Sequence, residues 1–117
     1  MRQEVKLPET RIQPLRIPKG WTIVHNSFRE IDPKFLVSDD ERWLLFTQDL
    51  LQLHFSKKAL ILDMGWYPDA SEKGSYQLVI IQNEDWEHPL IEFDSSDYYE
   101  VVENIEKYLN QITNHQL

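Results

Sequence analysis

Alternating apolar and polar residues in the middle of the chain predict a series of β-strands. The segments "LLQLHF", "ALILDMGWYP", "YQLVIIQ" and "LIEF" have this character and are separated by short polar stretches. These stretches are too short to contain crossover helices, so we expect neighbouring strands to pair antiparallel. An earlier strand-like segment, "WTIVHNSFREID", places Ile23 and Phe28 on opposite parities, which predicts a bulge or turn near residues 26–27.

The C-terminal segment predicts the one long helix, over residues 96–113. Ser96 or Asp97 is a suitable N-cap, and Asp97 with Glu100 has the spacing of a capping box. An apolar stripe then recurs at helical spacing, formed by Val101, Ile105, Tyr108 or Leu109, and Ile112.

The segment "SDDERWLLFTQDLLQLHF" is compatible with helix and with strand. Ser38 and Glu41 have capping-box spacing, and Trp43 and Phe46 follow at helical spacing, whereas the end of the segment alternates like a strand. The interpretation adopted is a short helix near 39–48 followed by a strand near 50–56. The whole pattern predicts a single α+β domain over 1–117, in which a meander of about five antiparallel strands carries the C-terminal helix on one face. Prolines at 8, 14 and 18 predict an extended arm over residues 1–18.

Composition narrows the class of protein. Cysteine is absent, so disulfides, a thiolate nucleophile and Cys-ligated zinc are excluded. The first 20 residues lack the apolar core of a secretory signal, and no apolar run reaches the roughly 18 residues of a membrane span. These features favour a cytoplasmic protein.

Charge is distributed unevenly along the chain. Residues 1–20 hold five Lys or Arg against two Glu, a net +3, which leaves −11 on the other 97 residues to reach the total of −8. Residues 74–106 contain no Lys or Arg but nine Asp or Glu. Such a body repels nucleic acid and anionic membranes, and it favours a basic protein as partner. The competing explanation is that the charge serves only solubility.

No catalytic or metal-binding motif is complete. The four histidines form neither HxH nor HExxH, and the Glu84–His88 spacing falls in a segment that reads as a loop before Pro89. Asp63 interrupts an apolar strand, where a half-exposed structural role or a buried hydrogen-bonded role is possible. Isolated glycines exclude a phosphate-binding loop. We therefore predict a protein that is not an enzyme and has no cofactor or metal.

Tryptophans beside acidic residues predict a partner-binding surface, because a few buried aromatics supply most of the energy of typical interfaces. The two loops concerned, after "LDMG" and after "YQLVIIQ", contribute the residues Trp66, Asp69, Glu72, Glu84, Asp85, Trp86 and Glu87. For the two tryptophans a core position is the alternative.

Three segments carry a resemblance to a known class of proteins: "IPKGWTIVHNSFREIDP", "LDMGWYPDASEKGSYQLVIIQNEDWEHPL" and "FDSSDYYEVVENIEKYL". In this order they resemble bacterial immunity proteins encoded beside polymorphic or contact-dependent toxins. The resemblance implies a cytoplasmic, non-catalytic inhibitor of a cognate toxin domain, and many such toxins are nucleases with basic clefts. The alternative is a non-catalytic interaction module that forms a homodimer through a sheet edge; the sequence is compatible with a monomer or a homodimer.

Overall fold

A five-stranded antiparallel sheet forms the centre of the protein, of which the computed structural model describes residues 10–115. The strand order in the sheet equals the order along the chain, which confirms the predicted meander. The strands are β1 (Thr22–Asn26), β2 (Leu51–Phe55), β3 (Leu60–Tyr67), β4 (Ser75–Gln82) and β5 (Ile91–Ser95).

Short connections hold β2 to β5 in this order. Between β2 and β3 lies a single 3-10 turn, Ser56–Lys58, and Ala59 then takes a left-handed conformation with φ 52°. The connection 83–90 between β4 and β5 also begins in left-handed conformation, at Asn83 and Glu84. The predicted irregularity in the first strand is a register shift within β1, between Ile23 and His25, slightly earlier than the sequence indicated.

The segment predicted as a helix over 39–48 forms a shorter 3-10 helix, Glu41–Leu45. Its cap is Asp40, which accepts the backbone N–H of Arg42 at 2.9 Å, rather than the predicted Ser38. Hydrogen bonds from the Arg42 side chain and backbone lower the pKa of Asp40 to about 2. Its C-cap is Phe46, whose ring centroid lies 5.2 Å from that of Trp43, and both side chains are buried in the core. A third 3-10 segment spans Pro33–Phe35.

Helix α1 (Tyr98–Thr113) confirms the predicted C-terminal helix. Asp97 is its N-cap and accepts the backbone N–H groups of Tyr99 and Glu100 through one carboxylate oxygen. The predicted apolar stripe is fully buried; its members are Val101, Ile105, Leu109 and Ile112. Within residues 10–115, no helix has both the length and the apolar composition needed to cross a bilayer.

Helix α1 packs on one face of the sheet, against β4 and β5. The strand side chains of that face are fully buried in the main core, among them Leu62, Met64, Leu78 and Ile80. Residues 10–19 run outside this core. Leu15 and Ile17 pack against it, and the backbone N–H of Arg16 donates to Glu106 in α1. The first nine residues of the predicted arm lie outside the described residues.

Candidate functional site

The sheet face opposite α1 carries a row of side chains that crosses all five strands. His25, Gln52, Asp63, Val79 and Glu92 are successive cross-strand partners in β1 to β5. Directly opposite residues point to the same face, and alternate residues along a strand share it. This row therefore lies on the side away from Leu62 and Leu78. We call this side the open face.

The open face is acidic because every carboxylate in the strands lies on it. Asp63 and Glu92 belong to the row just described, and Asp94 follows two residues after Glu92. None of the five strands contains a Lys or Arg. Glu92 and Asp94 are about 7 Å apart along the strand, and Asp63 is about 10 Å from Glu92 across two strand spacings. These distances are comparable with the Debye length of about 8 Å in physiological salt, so the fields of the three groups overlap.

A fourth carboxylate, Asp49, reaches the open face because the chain before β2 passes close to β3. Two backbone hydrogen bonds fix this crossing, from Trp66 N to Thr47 O at 2.8 Å and from Leu50 N to Met64 O at 3.1 Å. Gly65 makes the approach possible, since a Cβ there would lie only 2.0 Å from the Gln48 carbonyl oxygen.

The electrostatics of Asp63 reflect this crowding. Burial raises the pKa of Asp63 above its ordinary value, and the nearby Asp49 raises it further. The hydrogen bond that Gln52 donates at 2.9 Å and the nearby His25 act in the opposite direction. Asp63 thus occupies the open face and is also held by one side-chain hydrogen bond. A shallow cavity of about 200 Å³ lies beside it, lined by His25, Asp49, Leu51, Gln52 and Asp63.

At one end of the open face the side chains are apolar and buried from solvent. Ile61 and Ile81 pair across β3 and β4 on this side, and both are buried. Beside them lies a cavity whose lining includes His54, Ile61 and Glu84. Because Glu84 belongs to the β4–β5 loop, this loop borders the open face.

The predicted site residues of the β4–β5 loop are all exposed. Glu84, Asp85 and Glu87 are in solvent, and Trp86 has an exposed fraction of 49%. Asp85 lies 3.0 Å from the His88 ring nitrogen. Hydrogen bonds from Asn83 N to Ala59 O and from Gln82 to Lys58 O join this loop to the β2–β3 turn. That turn contains two lysines, Lys57 and Lys58, and these partly offset the negative charge of the loop.

The other predicted residues do not join this loop. Asp69 and Glu72 are exposed but lie at the opposite end of β3 and β4, and an eight-residue strand spans roughly 25 Å. Glu72 lies on the side of the sheet that α1 covers, in a cavity with Trp66 and Tyr98. The two acidic loops therefore do not form one continuous patch.

Trp66 is a core residue and is not available as the surface anchor that the sequence predicted. Its exposed fraction is 1%, and its indole N–H donates to the Ser71 carbonyl at 2.8 Å. The physical reason is strand parity, because Trp66 alternates in phase with Leu62 and Met64 and so points to the core face.

The cation-free stretch 74–106 is divided between two sides of the molecule. Its strand carboxylates lie on the open face, whereas Glu100, Glu103 and Glu106 belong to α1 on the other side of the sheet. The carboxylates of α1 therefore do not contribute to the acidic open face. The sequence pattern singles out Asp63, but it predicts no binding role for Asp49, Glu92 or Asp94.

The histidines take part in local hydrogen bonds. His54 lies 3.1 Å from the Gln52 side chain, and His25 lies 2.7 Å from the Asp49 carbonyl oxygen. Among residues 10–115, no three His, Asp or Glu side chains form a group suited to a metal ion. No protein-family model, curated protein or solved structure matches this chain. The resemblance to immunity proteins therefore depends on the three segments quoted above.

Proposed function

We propose that this protein is a cytoplasmic immunity protein that binds a basic toxin domain, a nuclease in the first instance, and blocks it without turnover or cofactor. The observation that carries this proposal is the open face, on which Asp63, Glu92 and Asp94 lie together without any strand cation. Asp49 extends the same surface toward β2.

The electrostatics of this surface suit such a partner. A nuclease cleft that binds phosphate is basic, so it is attracted to a face of one sign. Attraction of this kind raises association rates by about 10–10³-fold and decreases as salt rises. Glu84 lines a cavity at the border of the face, and the exposed indole of Trp86, two residues further along the same loop, is suited to act as an apolar anchor. In this proposal the β4–β5 loop contributes to the interface and Trp66 does not.

The proposal is tested by measuring association with the toxin domain encoded in the neighbouring reading frame. Three double variants remove the same total charge from three places: Glu92→Gln with Asp94→Asn on the open face, Glu84→Gln with Glu87→Gln in the loop, and Glu100→Gln with Glu103→Gln on α1. Net charge changes from −8 to −6 in each, so only the position of the lost charge differs.

We expect the open-face variant to associate about 3–10 times more slowly at low salt, and the α1 control to change less than about twofold. The difference should largely disappear near 1 M salt, where the Debye length is about 3 Å. Equal rates for the open-face variant and the α1 control would contradict the proposed surface. Failure of the unaltered protein to bind the toxin domain, or to protect cells that express it, would contradict the immunity function itself.

The edge strand β1 favours a second candidate function, a homodimeric interaction module. Ile23 and Val24 have exposed fractions of 53% and 52%, and β1 contains no Asp, Glu, Lys or Arg. A second copy meets no like charge along this edge, whereas the β5 edge carries two carboxylates. Sedimentation at micromolar concentration tests this function. A dimer that Val24→Lys converts to a monomer supports it, and a monomeric unaltered protein excludes it.

A further inference from the structure

A cavity separate from the open face lies at the end of the sheet where α1 begins. It has a volume of about 480 Å³, within the range of ligand-binding pockets. The 3-10 turn at 33–35, the β3–β4 loop and the first turn of α1 form its walls.

Aromatic side chains provide the inner wall and the rim of this cavity. Trp43 and Trp66 lie inside, with ring centroids 5.9 Å apart. Both indole N–H groups are already used, by the carbonyl oxygens of Val37 and Ser71, and the two side chains are only 6% and 1% exposed, so they form the floor of the cavity and not a surface for stacking. At the rim, Phe35 and Tyr99 have exposed fractions of 75% and 69%, which is unusual for rings of this size.

Three carboxylates and one ammonium group surround these rings, belonging to Asp32, Glu72, Asp97 and Lys34. Asp32 and Asp97 cap their helical turns through Oδ1 alone, and among residues 10–115 Oδ2 of each accepts no hydrogen bond. Glu72 is exposed and forms no ion pair within the same range. The Tyr98 hydroxyl, on the same wall, is buried and has no hydrogen-bond partner among the described residues.

We propose that this cavity receives an arginine side chain from a protein partner. A guanidinium group is planar, stacks on aromatic faces and pairs with carboxylates through two parallel hydrogen bonds, so it uses both chemical features of the cavity at once. Phe35 and Tyr99 at the rim supply the exposed ring faces on which the guanidinium group and the aliphatic part of the side chain pack. This binding site does not depend on the open face, because it lies on the side of the sheet that α1 covers.

The probe is N-acetyl-arginine methylamide, compared with the citrulline analogue, which has nearly the same shape and no charge. Binding is followed by NMR through the indole N–H signals of Trp43 and Trp66, with Trp86 as an internal control outside the cavity. We expect saturable shifts of the two cavity signals with a dissociation constant on the order of 1–10 mM for this small probe, and no saturation with citrulline.

Two variants locate the interaction. Glu72→Gln should weaken arginine binding by about threefold or more, because it removes the exposed carboxylate of the cavity. Asp69→Asn is the matched control, since Asp69 is exposed in the same loop but does not line the cavity, and it should change binding less than about twofold. Equal binding of citrulline, or equal effects of the two variants, would overturn the proposal. So would the absence of saturable shifts in Trp43 and Trp66.

Discussion

Replacement of Gly65 by Ala tests whether the chain before β2 is held tightly against β3 at the crossing that brings Asp49 to the open face. An ideal Cβ at this position lies 2.0 Å from the Gln48 carbonyl oxygen, whereas real Cβ contacts below 3.0 Å essentially do not occur. The chain at Gln48 must therefore move by at least 1 Å. It is held on either side by the hydrogen bonds of Thr47 O and Leu50 N to β3.

The expected cost follows from these two bonds. Each contributes a net of about 0.5–1.5 kcal/mol, so losing both costs about 1–3 kcal/mol, which agrees with the usual cost of overpacking. For a domain of this size the melting temperature should fall by roughly 5–15 °C. Urea unfolding with an unchanged slope measures the free energy directly.

The sign of the change in stability distinguishes a tightly held crossing from one that can move aside. If Gln48 could move aside freely, Ala would stabilise the strand by about 0.5–1 kcal/mol, because glycine loses more backbone entropy on folding. Gln77→Ala is the matched control, since Gln77 is the exposed cross-strand partner of Gly65, and it should change stability by less than about 0.5 kcal/mol. A more stable Gly65→Ala protein would refute the reasoning.

Two further predictions concern Asp63 and the tryptophans. The raised pKa of Asp63 means that its ionised form destabilises the folded protein, so Asp63→Asn should raise the urea midpoint at pH 7. This gain in stability should shrink as the pH falls through the folded pKa towards 3.8. A loss of stability at pH 7 would contradict the prediction. Trp66→Ala should cost about 3–5 kcal/mol of unfolding free energy, because it empties a fully buried site. Trp86→Ala should cost less than about 1 kcal/mol, and similar losses for both would disprove the assignment of Trp66 to the core and Trp86 to the surface.

Local patterns in the sequence were sufficient for most of the fold. The stripe that begins at Val101 and the cap at Asp97 are short-range signals, and both appear in α1 as expected. The same alternation that identified β3 also contained the correct position of Trp66, but the residue was grouped with the loop that follows it. Strand parity was therefore the signal in the sequence that could have placed Trp66 in the core.

The candidate site required information that local patterns do not contain. Whether Asp63 and Glu92 share a face depends on the register of three strands, and a slip of one residue would move one of them to the core side. The approach of Asp49 depends on the crossing at Gly65. This crossing is a tertiary contact between β3 and the chain before β2, and local sequence patterns do not reveal it. The placement of the two acidic loops at opposite ends of β4 did follow from the predicted meander, because one loop precedes that strand and the other follows it.

The arrangement of the carboxylates distinguishes the two explanations of the acidic charge. Solubility requires only net charge, and exposed positions such as Glu100 and Glu103 on α1 supply it without loss of stability. Asp63 instead lies half-buried beside Asp49, where its ionised form is disfavoured. A residue that breaks a local rule of stability is more often explained by function than by folding. If the open face binds a basic partner, Asp63→Asn should therefore stabilise the protein and slow its association with the toxin domain, whereas a purely solubilising role predicts the first effect without the second.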